Sequence, residues 1–305
     1  MMVPHISFAD GDPLLDWLVF TDALAAGHDL PKAEIDDTFL YRDPDTMLSR
    51  AAWIDGLGLA VKTATIFPGN ITGGKPMMNG LVSIYSDLDG TVAESIDFHH
   101  VTTWKAAADS LLAARRLARP DSRNILIMGA GTVAGTLVQA FSTAFPQAHF
   151  NIWNRTPAKA DVFAKQHPNA TPVRDLEQAV EAADIVLGAT MSSAPILRGD
   201  WLQADQHINL IGAYRPDMRE ADDTALTRAR LFVDSYATTL DHIGELKDPL
   251  ARGVITRDDF VADFYDLSAF QRQPGPNLTL FKNGGGAHLD LMTSRYILDQ
   301  WAGAQ

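Results

Sequence analysis

Two lysines stand where lysine is out of character. Lys62 lies inside an apolar, β-branched run, Leu59-Ala60-Val61-Lys62-Thr63-Ala64-Thr65-Ile66-Phe67, which ends at the turn signal Pro68-Gly69-Asn70. Such a residue is either an edge-strand charge or an inward-facing cation meant for an anionic ligand. Lys105 follows Trp104 near the start of a helical pattern, and is either solvated or a second cation for the same ligand. Two lysines on different elements suggest a carboxylate clamp, which would suit an amino or imino acid.

A second constellation runs from Asn124 to Thr156. The apolar run Ile125-Leu126-Ile127-Met128 leads into Gly129-Ala130-Gly131-Thr132-Val133-Ala134, then a helical pattern to Phe145, then Phe150-Asn151-Ile152-Trp153-Asn154-Arg155-Thr156. Gly129 suits a tight turn, and Gly131 lets the backbone approach a pyrophosphate at a helix amino end. Ala134 takes the third-glycine position. Glycines alone carry little weight, but their place between a strand and a helix favours a dinucleotide turn over a bland strand-turn-helix. The second strand ends in Asn154-Arg155-Thr156, where an NAD site usually has a carboxylate for the ribose hydroxyls. Arg155 can pair with a 2′-phosphate, with Asn154 and Thr156 bonding to it, so NADP is favoured and NAD remains possible. The alternative is that Arg155 is a solvated residue before the helix that Pro157 begins.

The elements that must position these groups fall into two domains. Residues 1–40 are weakly patterned, with a helix over about Leu14 to Ala26 that stops at Gly27. Strands at 59–67, 81–85 and 91–96, the last two flanking Asp87-Leu88-Asp89-Gly90, predict an antiparallel α+β unit. Thr102 or Thr103 caps a helix that ends at Arg119-Pro120. This gives a first domain over residues 1–120. From 121 to 284, strands at 125–128, 149–153, 184–188, 207–211 and 230–234 alternate with helices at 132–145, 157–166, 175–183 and 220–229. That alternation predicts an α/β fold, a Rossmann-type doubly wound parallel sheet. A last strand at 278–282 precedes Gly284-Gly285-Gly286 and a closing helix. Coming after the parallel sheet is complete, residues 285–305 are expected to return to the first domain.

Bulk properties narrow the function further. The chain has 305 residues, 46% of them hydrophobic, enough for two cores. Its net charge of −13 argues against nucleic acid, and the absence of cysteine removes disulfides and thiol chemistry. Asp10, Asp12 and Asp16 do not suit a signal peptide, and no apolar run approaches the roughly 18 residues of a bilayer span. A soluble cytoplasmic protein is expected. His99-His100 would face opposite sides of a strand, and no metal-ligand spacing or Gly-x-Ser-x-Gly elbow is present.

The chain resembles the ornithine cyclodeaminase and mu-crystallin family from about residue 45 onward. The resemblance rests on Val61-Lys62 with Phe67-Pro68-Gly69-Asn70, on Thr102 to Ala107, on Ala118 to Arg123, and on Gly129 to Ala134. It continues through Trp153-Asn154-Arg155-Thr156, His207-Ile208-Asn209, Gly212-Ala213-Tyr214-Arg215-Pro216-Asp217, Arg219-Glu220 and Phe281-Lys282. The Trp-Asn-Arg-Thr and Gly-Ala-x-Arg-Pro-Asp segments are nearest the mu-crystallin side. The family implies a nicotinamide cofactor and a homodimer of two-domain subunits, with residues 1–120 as the substrate and dimerisation domain, completed by the closing helix 285–305, and residues 121–284 as the Rossmann domain. Its chemistries include cyclodeamination, reduction of cyclic imino acids and dehydrogenation of amino acids.

By position, the resemblance puts Lys62 near the substrate and Lys105 where most members have an arginine for its carboxylate. It adds Arg50, Asn79 and Gly285 to the substrate side, and Thr190 and Lys282 to the cofactor side. Tyr214 stands where the cyclodeaminases carry a catalytic aspartate, so cyclisation of ornithine is disfavoured. Lys62, Lys105 and Tyr214 are then the catalytic candidates. The expected reaction is NADPH-dependent reduction of Δ1-pyrroline-2-carboxylate or a related ketimine to the L-amino acid. Alternatives are an ornithine cyclodeaminase, an acyclic amino-acid dehydrogenase, or an NADPH- and ligand-binding protein without turnover.

Overall fold

The computed structural model describes residues 4–305. The chain divides into two compact units, one formed by the described residues through Lys105 with Gly285–Gln305, the other by Ala106–Gly284. The division lies inside the helix Phe98–Leu117, earlier than the Pro120 boundary suggested by sequence. From Ala106 onward this helix already belongs to the second unit, where Asn209 Nδ2 donates to the Ser110 carbonyl at 3.0 Å.

In the first unit, a short helix α1 (Phe8–Gly11) and α2 (Trp17–His28) accompany strands β1 (His5–Ile6), β2 (Glu34–Arg42), β3 (Asp45–Ile54), β4 (Gly58–Ile66), β5 (Met78–Tyr85) and β6 (Val92–Asp97). They form one six-stranded sheet in the order β1-β6-β5-β4-β3-β2, antiparallel except that β1 runs parallel to β6. The strands β2 and β3 escape the sequence reading. β2 carries Glu34, Asp36, Asp37 and Arg42 and is exposed along most of its length, so it has no apolar alternation to read.

Helix α2 starts from Asp16, whose carboxylate accepts the Leu18 and Val19 N–H groups, and it runs through Gly27 instead of stopping there. Gly27 is needed for packing, since a Cβ on it would lie 2.8 Å from Met292 Sδ of the closing helix, Ala287–Gly303. That helix lies against α2, β3 and β4.

Helix α3 (Phe98–Leu117) begins before the expected threonines. Asp97 Oδ1 accepts the His99 and His100 N–H groups at 2.7 and 3.1 Å, so Asp97 is the cap and both histidines are helical.

The second unit holds β7 (Asn124–Met128), β8 (His149–Trp153), β9 (Ala170–Pro172), β10 (Ile185–Gly188), β11 (His207–Leu210), β12 (Arg230–Val233), β13 (Phe260–Ala262) and β14 (Thr279–Lys282). All neighbours are parallel, in the order β13-β12-β14-β11-β10-β7-β8-β9. The stretch β9-β8-β7-β10-β11 is the doubly wound order, with its switch point between β7 and β10. The helices are α4 (Thr132–Ala144), α5 (Pro157–Gln166), α6 (Leu176–Glu181), α7 (Asp223–Arg228), α8 (Tyr236–Thr239) and α9 (Gly244–Ala251). Asp175 and Asp222 cap α6 and α7, which makes both shorter than expected and leaves Glu220 in a loop. Neither α8 nor α9 is legible in the sequence; α8 has four residues and α9 contains Pro249. Among the described residues no helix is long and apolar enough to cross a membrane.

Candidate functional site

In the first unit, Asp37, Arg50 and Lys62 are direct cross-strand neighbours on β2, β3 and β4, so their side chains share one face. Two cations side by side repel one another. The repulsion is met by Asp290, from the first turn of the closing helix, which is 1% exposed. Lys62 Nζ donates to Asp290 Oδ1 and to Thr102 Oγ1, each at 2.9 Å. Lys105 Nζ, brought in by α3, lies 2.8 Å from the same Asp290 oxygen and donates to the Gly285 carbonyl at 2.9 Å. Arg50 Nη1 also donates to Gly285 O at 2.9 Å, while its Nη2 is 2.6 Å from Asp37. Phe98 closes the flank, with its ring centroid 4.7 Å from Lys62 Nζ.

The electrostatics follow from this crowding. Burial pushes Lys62 down to about 7, with Lys105 and Arg50 acting in the same sense and Asp290 opposing them. Burial alone would raise Asp290, but Lys105, Lys62 and Arg50 outweigh it and hold its carboxyl well below the usual range. Three cations thus surround two carboxylates, Asp290 and Asp37. Among the described residues, and with Lys62 protonated, these five groups are one negative charge short of balance.

Arg50, Lys62, Lys105 and Gly285 are therefore brought together. Asn79 is not. It pairs with Thr65, an odd number of residues from Lys62 along β4, so its side chain points to the opposite face of the sheet.

In the second unit, Gly129 follows β7 with φ +129°, and a Cβ there would come 2.5 Å from the Ala189 carbonyl oxygen after β10. Its N–H donates to Trp153 O at 2.8 Å, tying the turn to the end of β8. Gly131 is the N-cap of α4, no side chain caps that helix, and nothing lies within 4 Å of where a Cβ on Gly131 would sit. Thr132 is exposed, Val133 is exposed, and Ala134 is buried. This bare amino end at the switch point, with Ala130 beside it, fits a pyrophosphate.

At the end of β8 there is no carboxylate. Asn154 Oδ1 accepts the Thr156 N–H at 2.9 Å, and Arg155 and Thr156 are exposed. Nearby, a cavity of about 300 Å³ is lined by Ala130, Ala158, Lys159, Val162, Phe163 and Gln166.

The loops after β10 and β11 are held by a buried carboxylate. Thr190 donates through both its N–H and its hydroxyl to Glu220 Oε1 at 2.8 Å, and Gly212 N–H donates to Glu220 Oε2 at 2.7 Å. Glu245 in turn accepts the Glu220 and Ala221 N–H groups at 2.6 and 3.0 Å. Burial, then the charge of Glu220, pushes Glu245 up to about 7. Tyr214 follows in the second of these loops and is 54% exposed, with the Arg215 guanidinium 5.8 Å from its ring. Lys282 is wholly enclosed, donating to the carbonyls of Leu210 and Asn283 at 3.0 and 2.7 Å. Its ammonium thus holds the strand ends and offers no open cation, a placement that differs from the cofactor contact expected of it.

Asp37, Glu220 and Asp290 carry much of this geometry, and the sequence reading does not pick them out as site residues. For Asp290 a signal exists: a lone carboxylate in Ala287-His288-Leu289-Asp290-Leu291-Met292, a helix start that is apolar apart from His288. Among the described residues no group of three His, Asp or Glu side chains is placed to hold a metal ion.

A doubly wound sheet with a bare glycine turn at its switch point defines a dinucleotide-binding protein, and the first unit carries a separate buried cluster of cations. Residues 48–305 match the ornithine cyclodeaminase/mu-crystallin family, and the chain belongs to it. It is an NAD(P)-dependent oxidoreductase. A Δ1-pyrroline-2-carboxylate reductase of Paracoccus denitrificans is 46% identical to it, over 98% of this chain and 97% of its own. The ketimine reductase mu-crystallin of Mus musculus is 30% identical over 80% of this chain and 76% of its own. A Thermococcus litoralis Δ1-pyrroline-2-carboxylate reductase, solved with NADH and L-proline, shares the fold, with a TM-score of 0.90 over 99% of this chain and 98% of its own at 24% identity.

Proposed function

We propose that the protein reduces a small cyclic imino acid, Δ1-pyrroline-2-carboxylate or a close ketimine, to the L-amino acid with NADPH. The observation that carries this reading is the charge-deficient cluster of Arg50, Lys62, Lys105 and Asp290, which is completed by one ligand carboxylate. The Paracoccus relative, similar along its whole length, acts on such a substrate. Lys105 holds the carboxylate by its remaining N–H donor, Lys62 turns its own remaining donor to the imine nitrogen, and Arg50 and Gly285 frame them.

The nicotinamide, when bound, supplies a hydride to the C=N carbon. The nitrogen must gain a proton in the same event, and Lys62, poised at about 7, is matched to give it near neutral pH. Gly129 to Ala134 hold the pyrophosphate. Arg155, flanked by Asn154 and Thr156, pairs with the 2′-phosphate, with Lys159 on the adjoining cavity wall as a second cation. Tyr214 supplies no carboxylate to activate an amine, which favours reduction over cyclodeamination.

The test is steady oxidation of NADPH by pyrroline-2-carboxylate, with L-proline formed. Ammonia released from L-ornithine without net cofactor turnover would sink the reading. Arg155→Ala is expected to weaken NADPH about tenfold or more, the worth of a charge-assisted contact, and NADH by much less. Equal losses for the two cofactors would remove the 2′-phosphate assignment.

The same reading includes a homodimer formed through the outer sheet face of the first unit. By strand alternation Leu40, Trp53 and Leu81 lie on the face away from Lys62, and they are 60%, 50% and 42% exposed.

A further inference from the structure

We infer that Asp290 is the positioning residue of the imine-binding cluster: it aims the ammonium groups of Lys62 and Lys105 and keeps the proton on Lys62 that the reduced nitrogen receives. This rests on the reading of the protein as an imino-acid reductase. One oxygen, Oδ1, serves both lysines, at 2.9 and 2.8 Å. Each ammonium has a second fixed acceptor, Thr102 Oγ1 for Lys62 and Gly285 O for Lys105. Two of three donors on each nitrogen are thereby spoken for, which fixes the direction of the third.

Asp290 is more deeply buried than the lysines it serves. It is enclosed, and its Oδ2 has no hydrogen-bond partner among the described residues, with Arg50 Nη1 at 3.8 Å. A carboxylate buried with half its acceptors unused is costly, and here the neighbouring cations offset that cost. The charged groups around Lys62 come from each packed element: Arg50 on β3, Lys105 on α3 and Asp290 on the closing helix, with Asp37 on β2 bound to Arg50 and Val82 of β5 opposite Lys62 uncharged. Of these, Asp290 is the one that favours the protonated lysine.

The sign of the pH effect follows. Reduction needs Lys62 protonated, so its rate falls as pH rises through the lysine's titration. Removing the Asp290 charge lowers Lys62 further and moves that fall to lower pH. Asp290→Asn should therefore reduce kcat/KM for pyrroline-2-carboxylate by a factor at least about fivefold larger at pH 8 than at pH 6, the change expected for a shift of about one pH unit. The substrate's own ionisation is common to both enzymes and cancels in the ratio. Asp290→Glu keeps the charge but displaces it, so it should raise KM and leave the shape of the pH profile unchanged.

A direct readout needs no turnover: the 15N resonance of Lys62 Nζ in lysine-labelled protein, assigned by its loss in Lys62→Met, should titrate about one unit or more lower in Asp290→Asn. A pH-independent loss of activity, or an unmoved Lys62 titration, overturns the inference. A protein whose Lys62 titration moves as expected but which reduces no imine overturns the functional reading instead. If Asp290→Asn does not fold, a changed profile shape in Asp290→Glu would still count against the inference.

Discussion

At the scale of single residues, the substrate side of this protein is a problem in counting donors. Lys105 has two of its N–H groups committed, to Asp290 and Gly285, and one left. An ammonium is a point charge, so it holds a carboxylate without the planar fork of an arginine and tolerates more variation in ligand shape. Lys105→Ala should remove a charge-assisted contact worth about 1.5–3 kcal/mol, raising KM for the imino acid about 10- to 100-fold. NADPH affinity, measured by fluorescence titration, should stay within about twofold. A parallel loss of cofactor binding would show that the substitution disturbs more than the carboxylate contact.

At the scale of elements, the strand-turn-helix of β7 and α4 separates two uses of glycine. Gly129 is required by the backbone: its φ of +129° and the Ala189 carbonyl 2.5 Å from a hypothetical Cβ leave no room for a side chain. Gly131 has an ordinary negative φ and open space around it, so the fold itself does not demand it. Gly129→Ala should cost about 1–3 kcal/mol of stability, visible as a lower Tm. Gly131→Ala should leave Tm nearly unchanged yet weaken NADPH and NADH together, because the added methyl occupies the path of the pyrophosphate. Undiminished cofactor binding by Gly131→Ala would remove the phosphate assignment of this turn. Glu220 belongs to the same scale, since one carboxylate fastens the loops after β10 and β11 through four donors.

At the scale of the whole molecule, the first unit presents a sheet whose outer face carries Leu40, Trp53 and Leu81 and whose edge strand β2 is exposed. An apolar face and a long free edge are liabilities for a lone chain and assets for an association. The proposed homodimer predicts a mass of twice 33.2 kDa by sedimentation and a Tm that rises with protein concentration. Leu40→Glu with Trp53→Glu should shift the protein to the monomer at micromolar concentration. A wild-type protein that sediments as a monomer would end this reading.

The sequence by itself determined what depends on local order. Strands β7 and β10 are short, largely buried apolar runs, β8 alternates and β11 is buried with His207 and Asn209 among its apolar residues, and Gly129, Gly131 and Arg155 sit at fixed offsets from β7 and β8. It was nearly silent on β2, because an exposed strand rich in charge has no period to read, on β3, whose positions are mostly half-buried on both faces, and on Asn79, whose facing is set by the register with Thr65. Only the tertiary structure decided that Lys62 points inward, and that it meets Lys105 and Arg50 around Asp290, 228 residues further along the chain. The physical reason is that a periodic pattern is a property of neighbours in sequence. A buried charge is stable only beside the opposite charge that the fold delivers to it.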